Sequence, residues 1–192
     1  DSSQIPTYLI SQFAKQRVTV ALSGDGGDEL FCGYNRYKIT DKYWKRLKII
    51  PPALRKILAS SISKIPPSQI DKLYSFFSKD IQYANFSEKV LKGSNVIASK
   101  DISDLYIGLI SSCRDPDSFV INGFESNEFL HSKLKMLEKF DDLSLMMVMD
   151  LLTYLPDDIL TKVDRAAMGV SLETRVPMLN HQVVEFAMQL PK

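Results

Sequence analysis

Most of this chain carries apolar positions at helical spacing, and one short run does not. Residues 18–22, Val-Thr-Val-Ala-Leu, are β-branched or apolar without strict alternation, the pattern of a strand buried on both faces of a parallel sheet. The run breaks into Ser23-Gly24-Asp25-Gly26-Gly27-Asp28-Glu29, and apolar residues resume at Leu30 and Phe31. Three glycines within residues 24–27 open backbone conformations closed to other residues and let a ligand approach the main chain. Asp28 and Glu29 then stand where a helix would begin, at the positive end of its dipole. A strand, a Gly-rich turn and a helix start place the loop at the carboxyl end of a sheet strand, where open α/β folds keep their ligands. The plainer reading is a tight turn whose acids only cap the next helix.

The remaining periodicity is helical. Tyr8, Leu9 and Phe13 predict a helix over residues 7–15 with one face on the sheet, Ser2, Ser3 and Thr7 being weak site candidates and better read as helix caps. Pro51-Pro52 and Pro66-Pro67 each open a segment, predicting helices over residues 53–61 and 68–78, and a further helix lies within 80–100. Residues 111–125 read as a loop and 128–138 as a helix. Together residues 50–125 look like a helical insert. Residues 143–152 are apolar nearly all round, the mark of a buried helix with methionines as core filler.

Composition narrows the class without naming a function. At 192 residues, 45% hydrophobic and 24% charged, the chain is long enough for one soluble domain with a core. A net charge of +1 argues against wholesale attraction to nucleic acid or anionic membrane. Residues 36–48 hold six Lys or Arg against one Asp, interleaved with aromatic rings. Such a run can mark single-stranded nucleic-acid binding, but no nucleic-acid motif accompanies it, and a surface helix with rings inward and cations in water is the better reading. Cys32 and Cys113 are too few for a disulfide scaffold, which fits reduced cytoplasmic thiols. His131 and His181 stand apart from other metal ligands and suit surface or helix-start roles. No apolar run approaches the roughly 20 residues of a membrane span.

A second stretch changes the picture. Tyr154-Leu-Pro-Asp-Asp-Ile-Leu-Thr-Lys-Val-Asp-Arg-Ala-Ala-Met-Gly-Val-Ser-Leu-Glu-Thr-Arg-Val-Pro-Met-Leu-Asn180 opens with a helix-start signature at Pro156, Asp157 and Asp158. Ile159, Leu160, Val163, Ala167 and Val170 recur at helical spacing, while Asp158, Lys162 and Arg165 share another face. That stripe is either a solvated ion-pair row or a source of positive charge for a phosphate anion. Glu173 and Arg175 are read as a structural pair in a short connector, and Asn180 as the cap of a helix over 182–190.

Together with the Ser23–Glu29 loop, this stretch resembles the asparagine synthetase family, specifically the ATP-dependent domain of its glutamine-hydrolysing members. The resemblance covers residues 1–37 and 150–192. It implies an adenine-nucleotide α-hydrolase-like α/β fold, a parallel sheet with helices, of which this chain is a mostly α-helical part with one or two short strands. On that view residues 1–192 are a single domain, the C-terminal portion of a synthetase domain. The upstream pyrophosphate loop and the N-terminal glutaminase domain would belong to a longer chain, and these 192 residues alone are expected neither to bind ATP tightly nor to catalyse.

The resemblance further implies ATP and Mg²⁺ as cofactors, and aspartate and glutamine-derived ammonia as substrates. The glutaminase domain is the expected partner, with a homodimer another expectation, in a cytoplasmic enzyme that engages neither nucleic acid nor membrane. Aspartate's side-chain carboxylate would be adenylated and ammonia would displace AMP. Ser23 and Gly24 would contact the nucleotide, Asp28 would bind Mg²⁺, and Lys162 or Arg165 would stabilise phosphate charge. Asp25 stands where many relatives carry Glu, the acid linked to adenylation and to the ammonia proton, and is one methylene shorter. Cys32 replaces a usual Gly, and Asn180 a usual Asp. The loop also resembles amidotransferases of surface-polysaccharide clusters, which act on another carboxylate. A non-catalytic helical interaction module is the third reading.

Overall fold

The structure is a computed structural model that describes residues 2–77, 86–111, 121, 123, 137 and 139–191. Over these residues the chain is mostly helical, with one two-stranded parallel sheet, the α/β character expected. It divides into two compact units, residues 1–39 with 137–192 and residues 40–136. Most of the expected insert falls in the second unit. The loop expected over 111–125 lies almost wholly outside the described residues, as do Cys113, His131 and most of the helix expected over 128–138.

In the first unit, α1 (Gln4–Lys15) starts before the expected residue 7, so Thr7 is internal and its hydroxyl donates to the Ser3 carbonyl at 2.8 Å. β1 (Val20–Leu22) follows, then α2 (Gly27–Phe31). Two expectations are corrected here. β1 is not buried on both faces, since Leu22 is 72% exposed. Nor does α1 lay its apolar face on the sheet: Leu9 and Phe13 are exposed, and α1 packs on the helix at Thr161–Met168, with the Tyr8 ring beside Gly169. A strand is buried on both faces only where helices cover both, and the described residues do not supply that cover.

The core of this unit is built mainly from α8 (Asp142–Leu152), as its largely apolar pattern requires. Leu145, Met146, Met147 and Met149 are buried with Leu30 of α2, and α2 packs on α8. Asp141 caps α8, its carboxylate accepting from the N–H groups of Leu143 and Ser144 at 3.0 and 3.1 Å and from the Ser144 hydroxyl at 2.6 Å.

α3 (Asn35–Leu47) begins in the first unit and ends in the second. Tyr37 and Trp44 are buried, while Lys42, Lys45 and Arg46 are exposed, so its rings and cations divide between core and water as expected. Two residues depart from this: Tyr43 is exposed, and Arg36 is half-buried. In the second unit α4 (Pro52–Ser63) and α5 (Pro67–Phe77) start at the second Pro of each pair, both packing on α6 (Phe86–Ile97). Arg55 is buried in α4; its Nη1 donates to the Ser99 carbonyl at 2.7 Å and its guanidinium lies 5.2 Å from the Trp44 ring. α7 (Ile102–Ile110) had no place in the sequence reading, although Asp101 caps it by accepting from the Asp104 N–H at 2.8 Å.

The α8 cap predicts a pH dependence. Burial pushes the Asp141 carboxyl up, but the hydrogen bonds from Ser144 and Leu143 together outweigh it and hold the group below its ordinary value. A depressed carboxyl contributes stability that is present above its unfolded value and lost as pH falls through the folded one. Asp141→Ala should therefore cost about 1 kcal/mol at neutral pH, with the difference from wild type shrinking below about pH 4 in urea titrations.

Candidate functional site

The site begins where the two sequence motifs pair. β2 (Glu173–Arg175) is a strand, not the connector expected, and it lies parallel to β1 with Val20 opposite Glu173, Ala21 opposite Thr174 and Leu22 opposite Arg175. Glu173 N–H donates to the Thr19 carbonyl at 3.0 Å, and Ser23 N–H donates to the Arg175 carbonyl at 2.9 Å. The ladder thus runs into the Gly-rich loop and fixes its first residue. The expected Glu173–Arg175 pair is present, Arg175 Nε donating to Glu173 Oε1 at 2.8 Å, but both are exposed and an exposed pair contributes little.

Beyond Ser23 the loop is held by its own side chains. The Ser23 hydroxyl donates to Asp25 Oδ2 at 2.7 Å, so the candidate nucleotide-binding hydroxyl and the candidate general base are one hydrogen-bonded pair. Gly24 is exposed, and no neighbouring atom lies within 4 Å of where a Cβ would stand. Gly26 is left-handed at φ 83°, and a Cβ there would meet Leu179 Cδ2 at 2.7 Å and Leu155 Cδ2 at 3.8 Å. The second motif therefore closes directly on the loop. α2 starts at Gly27, with Asp28 and Glu29 in its first turn as expected. Asp28 is exposed, and its carboxylate lies against Gly33, where a Cβ would fall 1.9 Å from Oδ1. Cys32 ends α2 in the left-handed region at φ 57°, the conformation that favours the Gly usual there.

The second motif does not start as a simple α-helix. Residues Leu155–Leu160 form a π-helical turn before α9 (Thr161–Met168). Pro156 has no N–H to continue the α-ladder, and the Thr161 hydroxyl donates to the Pro156 carbonyl, five residues back, at 2.8 Å. Of the expected stripe, Asp158 lies in the π-helical turn, and Lys162 and Arg165 stand three apart on α9. Lys162 is half-buried and Arg165 exposed. α9 ends with Ser171 left-handed at φ 60° and Leu172 N–H donating to the Ala167 carbonyl at 3.0 Å, which turns the chain into β2. Asn180 caps α10 (His181–Gln189) as expected, its Oδ1 accepting from Gln182 N–H at 2.9 Å, and His181 is the exposed first residue of that helix.

Behind the loop lies a polar cluster that the sequence reading did not single out. Asp150 is fully buried and accepts from Arg36 Nη2 and from the Tyr37 hydroxyl, each at 2.5 Å. The Arg36 guanidinium lies 4.3 Å from the Tyr34 ring centroid and 4.4 Å from that of Tyr154. The Tyr34 hydroxyl donates to Oε1 of buried Glu29 at 2.8 Å. Burial, then the hydrogen bond and charge of Glu29, push the Tyr34 phenol far up, so it remains a donor. One signal was available: Asp150 is the lone acid within the apolar run 143–152, and a buried acid requires partners.

A family model described as asparagine synthase matches residues 1–192. The chain belongs to the asparagine synthase family. It is 28% identical over its whole length to asparagine synthetase (glutamine-hydrolysing) 1 of Bacillus subtilis, covering 28% of that protein. It is 26% identical over its whole length to a putative asparagine synthetase (glutamine-hydrolysing) of Mycobacterium bovis, covering 27% of it. A shorter match, 62% identical over 34 residues, is to putative asparagine synthetase (glutamine-hydrolysing) 2 of Methanocaldococcus jannaschii, covering 18% of this chain and 7% of that one. The chain thus spans little more than a quarter of the curated relatives it matches along its whole length. No solved structure matches it.

For a member of this family the arrangement has a clear chemical content. Ser23 and Asp25 form a polar pair on a loop whose backbone is fixed at both ends, and Asp28 offers an exposed carboxylate nearby in sequence. Among the described residues no three His, Cys, Asp or Glu side chains are assembled around one metal position. A single carboxylate still fits Mg²⁺ chemistry, because that ion is held by one or two carboxylates with water and substrate phosphates. Among the described residues no helix is long and apolar enough to cross a membrane.

The closure of Leu155 and Leu179 on Gly26 is open to a direct test. Gly26→Ala combines a left-handed conformation with a contact of 2.7 Å to Leu179. It should lower stability by about 1–3 kcal/mol in urea unfolding. Gly24→Ala, with open space at its Cβ, should cost under about 1 kcal/mol.

Proposed function

We propose that this chain is the part of a glutamine-hydrolysing asparagine synthetase that activates a carboxylate with ATP. The reading rests above all on the joining of the two motifs, in which the Ser23–Asp28 loop is pinned to the second motif at Arg175, Leu155 and Leu179. The larger fold would be the adenine-nucleotide α-hydrolase-like sheet of the family, in a cytoplasmic protein.

The aspartate side-chain carboxylate attacks the α-phosphorus of ATP, the bond to pyrophosphate breaks, and an aspartyl-adenylate forms. Ammonia released from glutamine by the partner glutaminase domain then attacks the acyl carbon and AMP leaves, giving asparagine. The first step gathers negative charge on the phosphates, so preorganised cations and hydrogen-bond donors lower its barrier. Ser23 and the Gly24 backbone bind the nucleotide. Bound Mg²⁺ would neutralise phosphate charge, and Asp28 is the residue to hold it. Lys162 is the better of the two candidate cations, because half-burial lowers the local dielectric and strengthens its field relative to exposed Arg165. Asp25, positioned by the Ser23 hydroxyl, takes the proton from the incoming ammonia.

The test is pyrophosphate release by the full-length protein with ATP, Mg²⁺, ammonia and either aspartate or other carboxylates. Aspartate should support release, and Asp25→Ala should lower its rate by about 10²–10⁴-fold, the range for loss of a general base. Lys162→Met should lower kcat more than Arg165→Met, and Asp28→Asn should raise the Mg²⁺ concentration needed for half-maximal rate. Release only with another carboxylate would retain adenylation and move the acceptor to the polysaccharide-type amidotransferases. No release with any carboxylate would leave the interaction-module reading.

A further inference from the structure

The two motifs touch on one side, where Leu155 and Leu179 lie against Gly26. The polar cluster around Arg36 supplies a second attachment. Tyr154 directly precedes Leu155, and its ring covers the Arg36 guanidinium at 4.4 Å. Tyr34 covers the same guanidinium at 4.3 Å and donates to Glu29, which sits beside Asp28 in the first turn of α2. Arg36 Nη2 is in turn anchored on buried Asp150, the residue of α8 four before Tyr154. A closed circuit results, running from Gly26 through Leu155, Tyr154, Arg36, Tyr34 and Glu29 back to the loop.

We infer that Arg36 is a positioning residue. In contact with the Tyr34 and Tyr154 rings, which meet edge to face with centroids 6.2 Å apart, and anchored on Asp150, it holds the 155–160 turn, and through it Lys162, in register with the Ser23–Asp28 loop. Arg suits this task in a way Lys does not, since a broad guanidinium can lie against two rings set 76° to one another while its edge donates to a carboxylate. A π-helical turn has a poorer hydrogen-bond ladder than an α-helix and gains most from an external clamp. If Arg36 served only to neutralise Asp150, the Tyr154 ring would be dispensable. The kinetic part of the inference rests on the synthetase reading, and the exchange part does not.

The experiment compares the full-length wild type with Arg36→Lys, Tyr154→Leu and Tyr154→Phe. It reads amide hydrogen exchange at residues 155–162 together with pyrophosphate release. Tyr154→Phe keeps the ring face and should behave as wild type. Arg36→Lys and Tyr154→Leu should speed exchange at 155–162 by about tenfold or more while β1 and β2 stay within about twofold. Both should lower kcat by about tenfold or more with KM for ATP within about threefold, the signature of interactions realised in the transition state. Should Arg36→Lys fail to fold, the Tyr154 pair decides alone, because it leaves the Arg36–Asp150 ion pair in place. Unchanged exchange at 155–162 in Tyr154→Leu would overturn the inference, as would equal losses in Tyr154→Phe and Tyr154→Leu. A wild type that releases no pyrophosphate would sink the synthetase reading and leave the exchange result to judge the clamp.

Discussion

A carboxylate with no access to water sets the terms for the first unit. Asp150 is fully buried in α8, a helix of mainly apolar residues. Charge in such surroundings is tolerated only with close partners of good geometry. Arg36 and the Tyr37 hydroxyl meet that condition, and both come from α3, the helix that follows α2. The loop, the start of α3 and the end of α8 are therefore tied by one electrostatic requirement. Apolar packing alone would allow several arrangements of nearly equal energy, whereas a buried ion pair tolerates few.

That constraint explains why the site can rest on so little sheet. The two strands are three residues each, and both are exposed at their first and last residues. A short two-stranded sheet is weak by itself. Here the loop it delivers is also pinned at Gly26 by Leu155 and Leu179, and at Glu29 by Tyr34. Unusual backbone is concentrated around the same place: left-handed Gly26, Cys32 and Ser171, and a π-helical turn at Leu155–Leu160. Such conformations cost energy and persist where their surroundings over-determine them, which is common at functional sites.

The elements the sequence made legible are those with local causes. Helices α4 and α5 begin at prolines, α8 follows a largely apolar run, and Asn180 caps α10, because a fixed φ, a hydrophobic pattern and a side-chain cap all act within a few residues. The elements that were missed have causes elsewhere. β2 is three residues whose extended state is secured by pairing with a strand some 150 positions away, and no periodicity marks it. The π-turn was read as an ordinary helix start because Pro156 signals both equally well.

The sequence by itself determined which chemistry is available here: two motifs, their acids and cations, and through them the family, since residue identity and spacing are properties of the chain alone. Only the tertiary structure decided which residues meet. It separated half-buried Lys162 from exposed Arg165 and brought Arg36 against Tyr154 and Asp150. The contacts of Arg36 with Asp150 and Tyr154 span more than a hundred residues. Distance along the chain carries no information about them, whereas burial and the need to satisfy a buried charge do.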